Sequence, residues 1–265
     1  MLSSYSLKWF KIIIKINTFA NLPKTGLKAN KIFMRLIGFQ DFGAGIVRQY
    51  LLYCFNLMTQ ALPKPLTIEE FARWYPIDSE CLYELHNGVI VEMPLPIGEH
   101  EEVIGFLTAE FSLEYRRIKR PYFIPKTVFV HPPNSESAYS PDILLLNKPN
   151  LVNEPIWKKE SIITLADSIS LVVEIVSTNW RDDYLKKYAD YEEMRIPEYW
   201  IVDYAALGGR EFIGRPKQPT ISICSLDENE YYVSKFRGDD LIQSPTFPEL
   251  NLTAQQIFQA GNNDS

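Results

Sequence analysis

Apolar positions recur at helical spacing between residues 99 and 119, where Val103, Ile104, Leu107, Phe111 and Tyr115 share one face. That spacing predicts an amphipathic helix. Ahead of it, Thr67-Ile-Glu-Glu has the form of a capping box and opens a short helix running through Arg73. Residues 81–93 place short apolar runs on either side of Asn87-Gly88, a pair suited to a two-residue hairpin turn. Strands are expected near 122–130, 140–146 and 170–176. Residues 181–194 predict a helix that stops before Pro197, because proline disfavours helical backbone in the residue preceding it. A strand at 198–204, a hairpin from 219–225 and 230–236, and a last helix opening at Thr253 complete the pattern. Residues 147–169 form the longest connection, made irregular by Pro149 and Pro155. Strands, an early helix and then strand–helix–strand predict an α/β fold: a central mixed sheet flanked by helices, with additional β-hairpins.

The first 57 residues break from this pattern. Their apolar stretches are interrupted by Lys8, Lys11, Lys15 and Arg48. No run approaches the roughly 20 apolar residues that cross a bilayer, and no clean secretory signal is visible. The charge breaks at the same place. Residues 1–57 carry eight Lys/Arg against the single acid Asp41, a net of +7. The other 208 residues carry nineteen against thirty-two, a net of −13, which together give the −6 of the whole chain. We therefore expect residues 1–57 to be a basic extension outside the fold, either upstream of a start at Met58 or a basic amphipathic or transit-like segment, and residues 58–265 to form the domain.

At 46% apolar residues the chain can bury a sizeable core. Cys54, Cys81 and Cys224 are an odd number without paired spacing, which argues against a disulfide framework and a cysteine zinc site and fits a reducing, cytoplasmic setting. No membrane association is expected. The acidic domain is not what a passive phosphate-binding module needs, since phosphates are held mainly by Lys and Arg.

Two acids stand out against their surroundings. Glu174 interrupts Leu171-Val-Val-Glu-Ile-Val176, a run apolar on both faces and so the mark of a central strand. An ionised carboxylate there must be paired, bind a cation or take up a proton. Asp142 opens a second apolar strand, Ile143-Leu-Leu-Leu146, where it could equally serve a turn beside Pro141. Two carboxylates at similar depth on adjacent strands repel unless a cation separates them. Oxygen ligands alone favour Mg²⁺ or Mn²⁺. The helix at 181–194 offers Lys186 and Lys187, each one turn after an acid (Asp182, Asp183), a spacing that also suits ordinary surface ion pairs. Lys187 adjoins the apolar stripe of Tyr188 and Tyr191; Lys186 stays open as an alternative. Glu84, between Tyr83 and Leu85 on a hairpin strand, reads by itself as a solvent-facing acid. His100 heads the long helix; a role near a substrate and plain exposure are both open. His86 and His131 show no partners and read as structural. Ser177 has no His and Asp arranged as a triad.

With these residues the sequence resembles the Uma family of restriction-endonuclease-like proteins, within the PD-(D/E)XK nuclease superfamily. The resemblance spans nearly all of residues 59–260. It rests on Tyr83-Glu84-Leu85-His86-Asn87-Gly88, His100, Ser140-Pro141-Asp142, Val173-Glu174-Ile175-Val176-Ser177, Lys187 before Tyr191, and Ile196-Pro-Glu-Tyr-Trp-Ile-Val-Asp203. It implies a restriction-endonuclease-like fold and a Mg²⁺-dependent nuclease cutting nucleic acid, expected to be DNA. By resemblance, Asp142 and Glu174 are the metal ligands, Glu84 is a further acid of the site, and Lys187 is the lysine moved onto the following helix. His100, Lys186 and Ser177 are accessory candidates. One departure is that the wider superfamily places lysine two residues after the glutamate, where this chain has Val176. A homodimer is expected if both strands of a duplex are cut. Two other functions compete: a nuclease-like fold without catalysis, serving as a binding or interaction module, and a metal-dependent hydrolase of small phosphates.

Overall fold

The computed structural model describes residues 64–76 and 81–261. The expected basic extension, residues 1–57, lies outside the described residues. Helix α1, Ile68–Trp74, opens on the capping box read from the sequence: Thr67 Oγ1 accepts the Glu70 amide and the Glu70 carboxylate accepts the Thr67 amide. Strands β1, Leu82–His86, and β2, Val89–Met93, form the antiparallel hairpin. Asn87 (φ 51°) and Gly88 (φ 77°) make its turn in the left-handed region that the Asn-Gly pair tolerates. Helix α2, Gly98–Arg117, then crosses the molecule.

The main sheet has six strands in the order β10-β9-β8-β7-β5-β3. These are β3, Tyr122–Phe123; β5, Ile143–Asn147; β7, Ile169–Ile175; β8, Glu198–Asp203; β9, Thr220–Asp227; and β10, Glu230–Phe236. Only β7 and β8 pair in parallel; the other neighbours are antiparallel. Between β7 and β8 the chain crosses over through α4, a π-helical stretch Asp182–Lys187 running into an α-helix at Tyr188–Glu193. The single strand expected at 122–130 is instead two short pieces. β3 joins the main sheet, whereas β4, Phe129–Val130, pairs with β6, Ile162–Ile163, in a small parallel sheet. Pro125 lies between the two pieces and supplies no amide for a ladder. The irregular connection after β5 contains a 3-10 turn, Lys148–Asn153, and a one-turn helix α3, Trp157–Glu160. Helix α5, Arg210–Ile213, and helix α6, Ala254–Ala260, complete the order; Thr253 caps α6 with Gln256 in a second capping box.

Strand alternation divides the core in two. Leu171, Val173 and Ile175 face α2 and α6, where Val103, Leu107, Phe111, Ile257 and Phe258 cover them. Val172, Val176, Tyr199 and Ile201 face the other way, towards Tyr184 and Tyr191 of α4 and Met194 just after it. A third cluster joins α1 to the hairpin through Phe71, Leu85 and Phe129. The expected α/β architecture, a mixed sheet flanked by helices, is the observed one. Among the described residues no helix is long and apolar enough to cross a membrane.

Candidate active site

Glu174 belongs to the face of β7 that α4 covers, and only 3% of it is exposed. An unpaired carboxylate at such depth would cost on the order of several kcal/mol. Its partners come from the crossover helix. Lys187 Nζ lies 3.0 Å from one oxygen, and the Tyr191 hydroxyl donates to the other at 3.0 Å. Lys187 and Tyr191 are one helical turn apart, so both reach the same place on the sheet.

Lys187 is itself buried and meets two further acids. Glu84 of β1 is 3.2 Å away and Asp183, one turn earlier on α4, is 3.7 Å away. Glu84 is 2% exposed, so the solvent-facing reading is corrected. The short hairpin packs its inner face against the domain instead of solvent. The Ser140 amide donates to Glu84 at 3.0 Å, and His86 Nε2 lies 2.8 Å from its other oxygen. Asp142 stands just before β5. Ile143 pairs with Val173, so Asp142 comes opposite Glu174 at the end of the ladder. One Asp142 oxygen accepts the Ile175 amide at 2.7 Å, while the other receives no hydrogen bond among the described residues. His100 approaches from α2: its Nε2 donates to the Ile175 carbonyl at 3.0 Å and lies 3.6 Å from Asp142.

These contacts fix the electrostatics. Burial raises Glu174 to about 8 and Asp142 to about 7, against the lowering by Lys187, and the neighbouring acids add to the rise. Burial likewise holds Asp183 well above its ordinary value. Glu84 is pushed up by burial too, but Lys187 and the hydrogen bonds from His86 and Ser140 outweigh that and leave it lowered. For Lys187 burial favours the neutral form, yet Glu174, Glu84 and Asp183 together hold it charged. Burial keeps His100 below its ordinary value, hence neutral at pH 7.

Four residues proposed from the sequence therefore meet: Glu84, Asp142, Glu174 and Lys187. His100 joins them through Asp142. It is buried, not exposed, because the first turn of α2 packs on the end of β7. Lys186 turns aside to the Tyr139 hydroxyl, 2.8 Å away. Ser177 accepts the Asn179 amide at 3.4 Å in the loop after β7 and is not among the groups touching the acids. Sequence reasoning set aside His86, which contacts Glu84, and treated Asp183 as half of a surface ion pair. A signal for His86 existed in strand alternation, which places it on the same face as Glu84. The site also lies away from a surface hollow lined by Tyr122, Asn147, Ser170, Arg195 and Glu198 at the opposite end of the sheet. There the buried Glu198 is already satisfied by Trp200, Ser244 and Thr246.

The chain matches the family model Uma2, described as "Putative restriction endonuclease", over residues 68–255. The chain belongs to the Uma2 family. It is also similar to the crystal structure of a "putative nuclease belonging to DUF820" from Anabaena variabilis ATCC 29413, with a TM-score of 0.57 at 18% identity, covering 74% of this chain and 99% of that one. This likeness is one of fold. No curated protein matches the chain at a significant level.

Within this Uma2 domain Val176, where the wider superfamily places lysine, is buried against α4. The ammonium reaches Glu174 from α4 instead. Among the described residues no three His, Cys, Asp or Glu side chains stand together as a ready chelate, for Lys187 occupies the space that Glu84 and Glu174 share. The donors that fit a hard cation are the free oxygen of Asp142, whose side chain is 23% exposed, and the carboxylate of Glu174 across the ladder. Two carboxylates with water and substrate oxygens completing the shell is the usual way a protein holds Mg²⁺. The excess of acids over the single buried lysine leaves room for that charge.

Proposed function

We propose that this protein is a divalent-metal-dependent nuclease hydrolysing nucleic-acid phosphodiester bonds, DNA in the first instance. One observation carries the reading: Glu84 of β1, Asp142 just before β5 and Glu174 of β7 converge with one buried lysine at one end of the main sheet. Family membership supports the same reading. Asp142 and Glu174 would hold Mg²⁺ or Mn²⁺. Once bound, such an ion supplies a Lewis acid that activates water and offsets phosphate charge. The chain's own groups prepare the place. Tyr191 fixes the Glu174 carboxylate, the Ile175 amide fixes Asp142, and Ser140 and His86 fix Glu84. Lys187 keeps Glu84 and Glu174 from repelling each other and holds both carboxylates in place at the site.

Supercoiled plasmid incubated with pure protein in Mg²⁺ or Mn²⁺ should be nicked or linearised. EDTA, Asp142→Ala and Glu174→Ala should each abolish the cut. The net charge of −13 over residues 58–265 and the valine at 176 favour a second reading, a nuclease-like binding module. Duplex binding that ignores metal, with no cutting under any of these conditions, would establish that instead.

A further inference from the structure

Lys187 is fully engaged: its ammonium is buried and meets three carboxylates. A nucleic-acid phosphate needs a donor that is still open. Lys186, the next residue, is only partly buried and forms no ion pair among the described residues. Of its three ammonium donors one is used, on the Tyr139 hydroxyl at 2.8 Å. That hydroxyl donates in turn to the Asp190 carboxylate, one helical turn beyond Lys186, so Tyr139 can only accept from the lysine. The Lys186 ammonium also lies 4.9 Å from the Tyr139 ring centre. The same ring is 5.8 Å from the Lys187 ammonium and meets His86 edge-on at 5.2 Å. Tyr139 is fully buried and thus a fixed post. It sets the second lysine beside the acidic cluster with two ammonium donors that make no hydrogen bond among the described residues.

We propose that Lys186 is the residue that grips a substrate phosphate, held in place by the Asp190–Tyr139 pair, while Lys187 is a positioning residue for the carboxylates. This rests on the nuclease reading and assigns its two lysines different tasks. A phosphate adjoining the cut is the group that two free ammonium donors on a partly exposed lysine would take.

The test is anisotropy of a labelled DNA duplex in Ca²⁺ across a salt series, with steady-state cleavage in Mg²⁺ alongside. Lys186→Met should weaken binding by about five- to tenfold and lower the salt slope by about one, as loss of one phosphate contact requires. It should raise KM more than it lowers kcat. Lys186→Arg should restore most of the affinity. Tyr139→Phe, which removes the acceptor and keeps the ring, should weaken binding in the same direction by a smaller factor, about two- to threefold. Thermal unfolding of each variant checks that it folds, with Lys186→Gln as the substitute if the methionine variant does not. Wild-type affinity and salt slope in Lys186→Met overturn the proposal while leaving cleavage by the wild type intact. A wild type that neither binds nor cuts any duplex overturns both this proposal and the nuclease reading.

Discussion

Removing the Lys187 charge while keeping its length would leave Glu84, Glu174 and Asp183 facing one another without a counter-ion. Breaking a buried ion pair from one side typically costs about 3–5 kcal/mol. Lys187→Met should therefore lower the urea midpoint sharply, whereas Lys186→Met should leave it nearly unchanged. The pH dependence follows from the same cluster. Glu174 at about 8 and Asp142 at about 7 bind more protons folded than unfolded. Stability should thus fall as pH rises from the unfolded carboxylate range through about 8. Glu84 acts with the opposite sign: its lowered pKa contributes stability present above its ordinary value of 4.5 and lost as pH falls below it. Urea titrations of metal-free protein should show their highest midpoint on the acid side of neutrality. Glu174→Gln should flatten the decline above it, and Mg²⁺ should raise the midpoint more at pH 8 than at pH 6. Of these residues Glu174 was legible in the sequence, because a charge inside an apolar strand has few explanations. Asp183 was not, because its burial comes from α4 packing on the sheet, and for His86 strand alternation gave the face but not the partner.

The crossover element α4 departs from regular helix where it matters. Its π-helical stretch, Asp182–Lys187, carries Asp183 and Lys187 to the site and gives way to α-helix by Tyr191. Such bulges occur often at functional sites, and no apolar periodicity announces them. The ordinary elements were legible for local reasons. Thr67 and Thr253 each close a capping box, so Thr253→Ala should lower stability by about 1 kcal/mol, seen as a shifted denaturation midpoint. Gly88 sits at φ 77°, and a methyl group there would meet Pro65 Cβ at 2.3 Å. Gly88→Ala should therefore destabilise the hairpin that carries Glu84 and reduce cleavage together with stability. On α2, Phe111 is fully buried between Trp200 and Phe247, at 5.3 and 5.4 Å between ring centres. Phe111→Ala should cost about 3–5 kcal/mol in chemical denaturation, as expected for truncating a large core side chain.

At the scale of the whole molecule, the proposed nuclease is an acidic domain that must meet an acidic polymer. With a net charge of −13 over residues 58–265, it has no long-range attraction for a phosphate backbone, and local cations have to supply it. Duplex affinity measured by anisotropy should therefore be weak in EDTA and rise by an order of magnitude or more when a divalent ion is added. A protein relying on a basic surface would show little metal dependence and a steep salt slope.

Apolar periodicity, caps and turn pairs by themselves determined the main helices and strands, their order and the mixed α/β class, because each depends on contacts within a few residues. They also singled out Asp142 and Glu174, whose charge conflicts with their neighbours. Only the tertiary structure decided which lysine lies among the carboxylates and that Glu84 is buried. Those facts depend on how α4 and the first hairpin sit against the sheet, and residues from Glu84 to Lys187 meet only after the intervening chain has packed.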